Sequence, residues 1–186
     1  NNCKAILPWW DAAKNTITNN LNCEGFEEKI KTINLARTAA KKIKKESEQI
    51  NILFVSSINH PFDFYMKGGK EALESFEKIS KDYPDAKLSM RSWIPEKIYK
   101  KFKDNTQIKF IKNQISVHEI ENLFEHSDIY LFPSHATPGM STLDALAHGL
   151  PIVGSNMWAM DEVIHENKNG FRINLPKNIP YLTKEG

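Results

Sequence analysis

The chain reads as an α/β protein, a Rossmann-like parallel sheet with helices on both faces. Two observations predict this. From residue 50 to residue 173, short apolar runs alternate with amphipathic stretches of helical spacing, and parallel strands need such crossovers between them. Within that series, Asp128 to Gly149 reads as a strand, a turn containing Pro and Gly, and a helix opening on small hydroxyl residues. About six parallel strands are expected, with ligands bound outside their carboxyl ends.

Taken in order, Phe26, Ile30, Ile33, Ala36, Ala40 and Ile43 recur at helical spacing among Lys and Glu, which predicts an amphipathic helix over Phe26–Glu48. The Lys-rich run Lys41–Lys45 is read as the solvated end of that helix, where cations suit the dipole. Ile50–Ser56 is a buried-type strand, followed by a loop holding Pro61 and Asp63. Ala72, Leu73, Phe76 and Ile79 then share one face of a helix over Gly69–Lys81. Ala86–Ser92 is the second strand, Glu96–Phe102 a short helix and Ile108–Ile111 the third strand. A helix over Val117–Glu125 turns Ile120, Leu123 and Phe124 inward, and Ile129–Phe132 is the fourth strand. Ser141–His148 is helix, Pro151–Ser155 strand, Asp161–Glu166 a short helix and Gly170–Ile173 the last strand. The division is therefore residues 1–49, a linker with an amphipathic helix, and residues 50–186, the α/β domain.

Composition excludes several classes. With 40% apolar and 26% charged residues the chain is globular, and a net charge of +2 leaves no nucleic-acid footprint. No apolar run approaches the ~18 residues of a membrane span. Cys3 and Cys23 form neither a disulfide framework nor a zinc-site spacing. No glycosylation sequon occurs, and a cytoplasmic location, free or peripheral at the membrane, is expected. The chain opens Asn1-Asn2-Cys3 without Met, so a preceding segment is expected.

The strand ends bring four loops together: Ser56–Gly69, Ser92–Pro95, Lys112–Ser116 and Pro133–Ser141. The last feeds a helix N-terminus, whose N–H groups and dipole suit a phosphate or diphosphate. Its amides at Gly139, Met140 and Ser141 are candidates for that role, and Asp144, one turn in, is a candidate to accept hydrogen bonds from a ribose. An ordinary βα unit with a capped helix fits the local pattern equally well. Lys67, with Gly68 and Gly69, stands where a compact cation could reach the same phosphate. Ile115 offers an apolar wall to a flat base, or closes a plain αβ turn. No Asp-x-Asp pair occurs and the six histidines have no ligand spacing, so no metal is expected.

These residues together resemble the C-terminal, nucleotide-sugar-binding domain of a GT-B glycosyltransferase, of the large retaining family often called family 4. Pro133-Ser134, Gly139 and the run Leu143-Asp144-Ala145-Leu146-Ala147-His148-Gly149-Leu150-Pro151-Ile152-Val153 match its signature in register. Lys67-Gly68, Asp161-Glu162-Val163-Ile164 and Asn169-Gly170-Phe171 resemble its outlying elements, and Ile6-Leu7-Pro8-Trp9-Trp10-Asp11 its entry from the partner domain. The resemblance implies transfer of a sugar from a nucleotide-diphosphate sugar, with retention, to an unknown acceptor (a glycan, lipid or protein) held by an N-terminal domain absent here. It implies no cofactor besides that donor. Lys67 is the implied catalytic cation; Lys67, Gly68, Gly139, Met140, Ser141, Asp144 and Ile115 are the implied donor-binding residues.

The chain also departs from the pattern. The family's second glutamate is Asp144, its first falls on Ala136, and its arginine after the first strand is Ser57. His135 or Thr137 could replace the missing donor-sugar contact; Arg91, at the end of the second strand, either replaces the missing cation or is a plain surface arginine. A nucleotide-sugar epimerase of the same fold, or a degenerate GT-B module that only binds a partner, are the alternatives; Ser57 and Ala136 favour the last.

Overall fold

The computed structural model describes residues 3–40, 49–57 and 59–174. Six strands, β1 (Asn51–Val55), β2 (Lys87–Arg91), β3 (Ile108–Ile111), β4 (Ile129–Phe132), β5 (Ile152–Ser155) and β6 (Gly170–Ile173), form one sheet in the order β3-β2-β1-β4-β5-β6. All neighbours pair in parallel. The chain builds outward from β1 to β3, then returns to the centre and builds the other way from β4. That reversal lies between β1 and β4.

Alternation along the strands sorts the core into two layers. Ile52 and Phe54 of β1 face Leu88 and Met90 of β2, under α3 (Gly69–Asp82) and α4 (Glu96–Phe102), where Leu73, Phe76 and Phe102 pack. Leu53 and Val55 point the opposite way, with Tyr130, Phe132 and Ile152, toward α5 (Val117–Glu125) and α6 (Met140–Ala147). Both faces of the central strands are therefore buried, which is why they read as continuous apolar runs. A capping box opens α5: the Glu119 N–H donates to Ser116 Oγ at 3.2 Å, and the Ser116 N–H to Glu119 Oε2 at 2.8 Å.

The structure corrects the expected helix over Phe26–Glu48. Among its described residues only Glu27–Lys29 makes a helical turn, of the 3₁₀ kind, and residues 31–40 carry no regular structure. Ile30 instead pairs with Ile6 in a parallel bridge, and the Ile33 N–H donates to Pro8 O at 2.9 Å. These pairings satisfy backbone groups that a helix would have satisfied internally. Helices this rich in solvated Lys draw most of their stability from tertiary packing, and here packing favours the extended path. Residues 41–48, including the Lys-rich run, lie outside the described residues.

Two helices stand where none was expected. The helix α1 (Asp11–Asn20) docks through Trp10 on Ala159 and Val163, beside and within α7 (Met160–Val163). Its first turn is capped from a distance: both carboxylate oxygens of Glu162 accept from the N–H groups of Asp11 and Ala12, each at 2.8 Å. The helix α2 (Pro61–Met66) starts on Pro at its first position, with the His60 ring accepting from the Phe62 N–H at 3.2 Å.

At the junction of α2 and α3, Gly68 takes a left-handed φ of 77°, and a Cβ there would stand 2.0 Å from the Pro133 carbonyl oxygen. Gly68→Ala therefore meets two costs: about 1–2 kcal/mol for the left-handed backbone and the steric overlap with Pro133. The expected loss of stability exceeds ~3 kcal/mol, measured by urea unfolding, whereas Gly139→Ala, with open space at its Cβ position, should fall well below that.

Candidate functional site

Where the strand order reverses, the loops after β1 and β4 run to opposite sides and leave a crevice at the carboxyl end of the sheet. A cleft of about 190 Å³ occupies it, lined by Ser56, Ser57, Lys67, Arg91, Gly139 and Ser141 over a floor of Val55 and Phe132. Lys67 caps the C-terminus of α2. Its ammonium donates to Thr137 O at 3.3 Å and lies 5.7 Å from the centre of the Phe132 ring. Burial lowers its pKa from the usual lysine value, and the nearby Asp63 carboxylate opposes that shift.

Arg91 reaches the same cleft from the end of β2, level with Val55 in the sheet register. One terminal nitrogen donates to Ser56 O at 2.8 Å, while its Nε is buried with no partner among the described residues. Burial lowers its pKa as well. Two incompletely solvated cations thus share one small space.

The opposite wall is the start of α6. Gly139 precedes it with extended backbone, and no side chain caps the terminus. Its first-turn N–H groups carry the positive end of the helix dipole with no carboxylate or hydroxyl to neutralise it. Tyr130 sets the position of this turn. Its hydroxyl stands 2.8 Å from Ser141 Oγ and 3.2 Å from Val55 O, and complete burial raises the phenol pKa far above its ordinary value. Tyr130 anchors the helix start from beneath, and its burial favours the neutral phenol.

The loop from Pro133 to Gly139 is fastened on several sides. The His135 N–H donates to Met66 O at 2.8 Å, Ser155 Oγ donates to the Ser134 carbonyl, and the Trp158 indole N–H donates to His135 O at 3.2 Å. Trp158 holds a left-handed φ of 50° while doing so, a conformation a bulky residue adopts only when its surroundings demand it. The His135 ring is buried with Nε2 3.2 Å from Glu71 Oε1, which removes it as a replacement donor-sugar contact. Thr137 is exposed beside Lys67, and Ala136 is half-buried.

Of the residues singled out in the sequence, Lys67, Gly139 and Ser141 line the cleft, Arg91 and Ser57 with them. Gly68 lies behind it against Pro133, and Met140 is exposed at the helix start. Asp144 stands one turn along α6, paired with Arg37, beside a second cavity. Ile115 lines a separate groove between α5 and the β2–β3 edge, with Ser89, Ile111 and Leu123. The structure therefore does not bring Ile115 into the Lys67 cleft. Sequence reasoning missed Tyr130, which reads as a core residue within Ile-Tyr-Leu-Phe, and Arg37, which lies outside the alternating series and carried no signal. Among the described residues no group of three or more His, Cys, Asp or Glu could hold a metal ion. No helix among them is long and apolar enough to cross a membrane.

Residues 49–181 match the protein family described as Glycosyl transferases group 1. No curated protein matches the sequence. Several solved structures share the fold. The crystal structure of TarM superposes with a TM-score of 0.75 at 18% identity, over 92% of this chain and 33% of TarM. The pneumococcal O-GlcNAc transferase GtfA, solved with UDP and GlcNAc, gives 0.73 at 13% identity, over 94% of this chain and 34% of its own. The C-terminal domain of a group 1 glycosyl transferase, LpcC of Francisella tularensis, gives 0.60 at 22% identity over 75% and 77%. The chain spans about a third of the length of TarM and GtfA.

Tyr130→Phe keeps the ring packing and removes only the hydroxyl that holds Ser141. The expected cost is about 0.5–1.5 kcal/mol of stability, read from urea unfolding. Ser141→Ala, which removes the other end of the same bond, should not add a further full loss in the double variant.

Proposed function

Because the chain belongs to the Glycosyl transferases group 1 family, we propose that it forms the part of a glycosyltransferase that holds a nucleoside-diphosphate-sugar donor. The observation that carries this reading is the convergence of Lys67, Arg91 and the uncapped start of α6 on one cleft. Three sources of positive potential aimed at one small space suit an anion such as a diphosphate. Arg91 takes the place of the cation lost at Ser57, arriving from β2 rather than from the loop after β1. Asp144 accepts from the ribose hydroxyls, one helical turn away from the phosphate-binding amides.

The chemistry asked of this half is modest. As the bond between the anomeric carbon and the diphosphate oxygen breaks, negative charge grows on the departing phosphate. Lys67, Arg91 and the amides of Met140 and Ser141 are fixed before that charge appears, so they stabilise it without reorganising. Their desolvation strengthens the attraction. We assign no metal to this step: the positive charge comes from the chain itself. Transfer proceeds with retention, and an N-terminal domain supplies the acceptor. Thr137, exposed and bonded through its carbonyl to Lys67, supplies the polar contact that Ala136 cannot make. A second reading, a module that binds the nucleotide without transfer, draws on that same Ala136; binding of UDP without loss of sugar from any UDP-sugar would select it.

A thermal-shift series with UDP, GDP, ADP and their sugar conjugates, run in EDTA, tests the proposal. UDP is the first probe because GtfA was solved with it. A bound nucleotide stabilises by mass action, and no shift with any of them would overturn the reading. Lys67→Ala should weaken nucleoside-diphosphate binding by about 1.5–3 kcal/mol in calorimetric titration. The sign of the pH dependence follows from the depressed Lys67 pKa. Only the ammonium form attracts the diphosphate, so affinity should fall as pH rises through that depressed value, earlier than an ordinary lysine would allow. The fall should vanish in Lys67→Ala.

A further inference from the structure

Arg37 lies outside the stretch that matches the family, residues 49–181, yet its guanidinium reaches into the same helix that opens the cleft. Its Nε donates to Asp144 Oδ1. Three residues on, the Ala40 N–H donates to Ala147 O at 2.8 Å, so the segment is tied to α6 at two places. The Asp144 side chain is 14% exposed and that of Arg37 46%: the carboxylate is sunk in the wall and the guanidinium lies over it.

Beside this pair opens a cavity of about 370 Å³, walled by Arg37, Thr38, Asp144, His148 and, from α5, Glu121 and Glu125. That size falls in the ~300–1,000 Å³ range of small-molecule sites. Its charges select what can enter. Three carboxylates disfavour an anion, and a guanidinium at the rim disfavours a cation. A neutral group rich in hydroxyls suits both, since each hydroxyl can donate to a carboxylate and accept from an arginine. The contact between Arg37 and Asp144 runs through one nitrogen and one oxygen, which leaves Oδ2 as an acceptor and the rest of the guanidinium fork as donors. A vicinal diol has the complementary pattern.

We propose that Arg37 is the positioning residue for nucleoside recognition: it fixes the Asp144 carboxylate, and the two together bind the 2′,3′-diol of the ribose. This rests on the nucleotide site proposed above and extends it to a residue contributed from outside the family domain.

The test is calorimetric titration of the full-length protein with UDP, 2′,3′-dideoxy-UDP and inorganic pyrophosphate. Arg37→Ala should weaken UDP roughly tenfold, the loss of one hydrogen bond to a charged group, and leave dideoxy-UDP and pyrophosphate unchanged. Arg37→Gln, the milder variant, should fall between, and Arg37→Ala combined with Asp144→Ala should lose more than Asp144→Ala alone but less than the two single losses together, because Arg37 both holds the carboxylate and donates to the diol. Equal losses for UDP and dideoxy-UDP, equal losses for UDP and pyrophosphate, or no change in either variant would overturn the proposal. Lys67→Ala separates the two levels. If it weakens UDP and pyrophosphate alike while the Arg37 variants change nothing, the cleft stands and the role of Arg37 fails. If the unaltered protein binds neither ligand, both fail together.

Discussion

The Lys67–Gly68 turn sits so close to the Pro133 carbonyl that backbone touches backbone, and the architecture of the cleft depends on this contact. A left-handed glycine allows it, and the bond from the His135 N–H to Met66 O locks it. Through it, the segment that follows β1 is fastened to the segment that follows β4, across the line where the sheet reverses its direction of growth. Without that fastening the two loops would diverge, as they do at any such reversal, and Lys67 would have no fixed relation to the start of α6. A contact with no chemistry of its own therefore sets the separation between the groups that do have chemistry.

Around that frame the protein concentrates positive potential. Lys67 and Arg91 are both held partly out of water, and burial pulls the pKa of each down. The helix start opposite them has no side-chain cap. Each of these features costs stability in the unliganded protein, because a desolvated cation and an open helix end are both unfavourable. Their coincidence in one cleft is the physical mark of a site prepared for an anion. Tyr130, buried and neutral beneath Ser141, keeps the helix start in place without adding charge.

Much of this was legible in the residues. All six strands fell within a residue or so of the runs Ile50–Ser56 through Gly170–Ile173, because the buried central strands read as apolar runs and the outer ones still alternate with helical stretches at regular spacing. Lys67, Gly139 and Ser141 could be placed together because β1 and β4 lie side by side at the centre of the sheet and end at the same side of it. The helix over Phe26–Glu48 misled because its apolar spacing was real but weakly buried, and pairing with Ile6 and Pro8 outweighed it. The helix over Asp11–Asn20 was hidden for the opposite reason: its own sequence is polar, and its cap comes from Glu162, which is remote in the chain. The pairing of Arg37 with Asp144 was beyond reach for the same cause, since a long-range ion pair leaves no local pattern.

The reach of Glu162 and Arg37 bears on where this protein can be cut. The family match begins at residue 49, and a piece excised there would look complete by its sheet. It would nonetheless lose the partner of Asp144, leave Glu162 without the two amides it caps, and bare the socket on Ala159 and Val163 that Trp10 fills. The evolutionary module and the physical unit do not coincide here. The latter includes a polar forearm, so grafting or swapping this domain by its family limits would carry over the sheet and sever its grip.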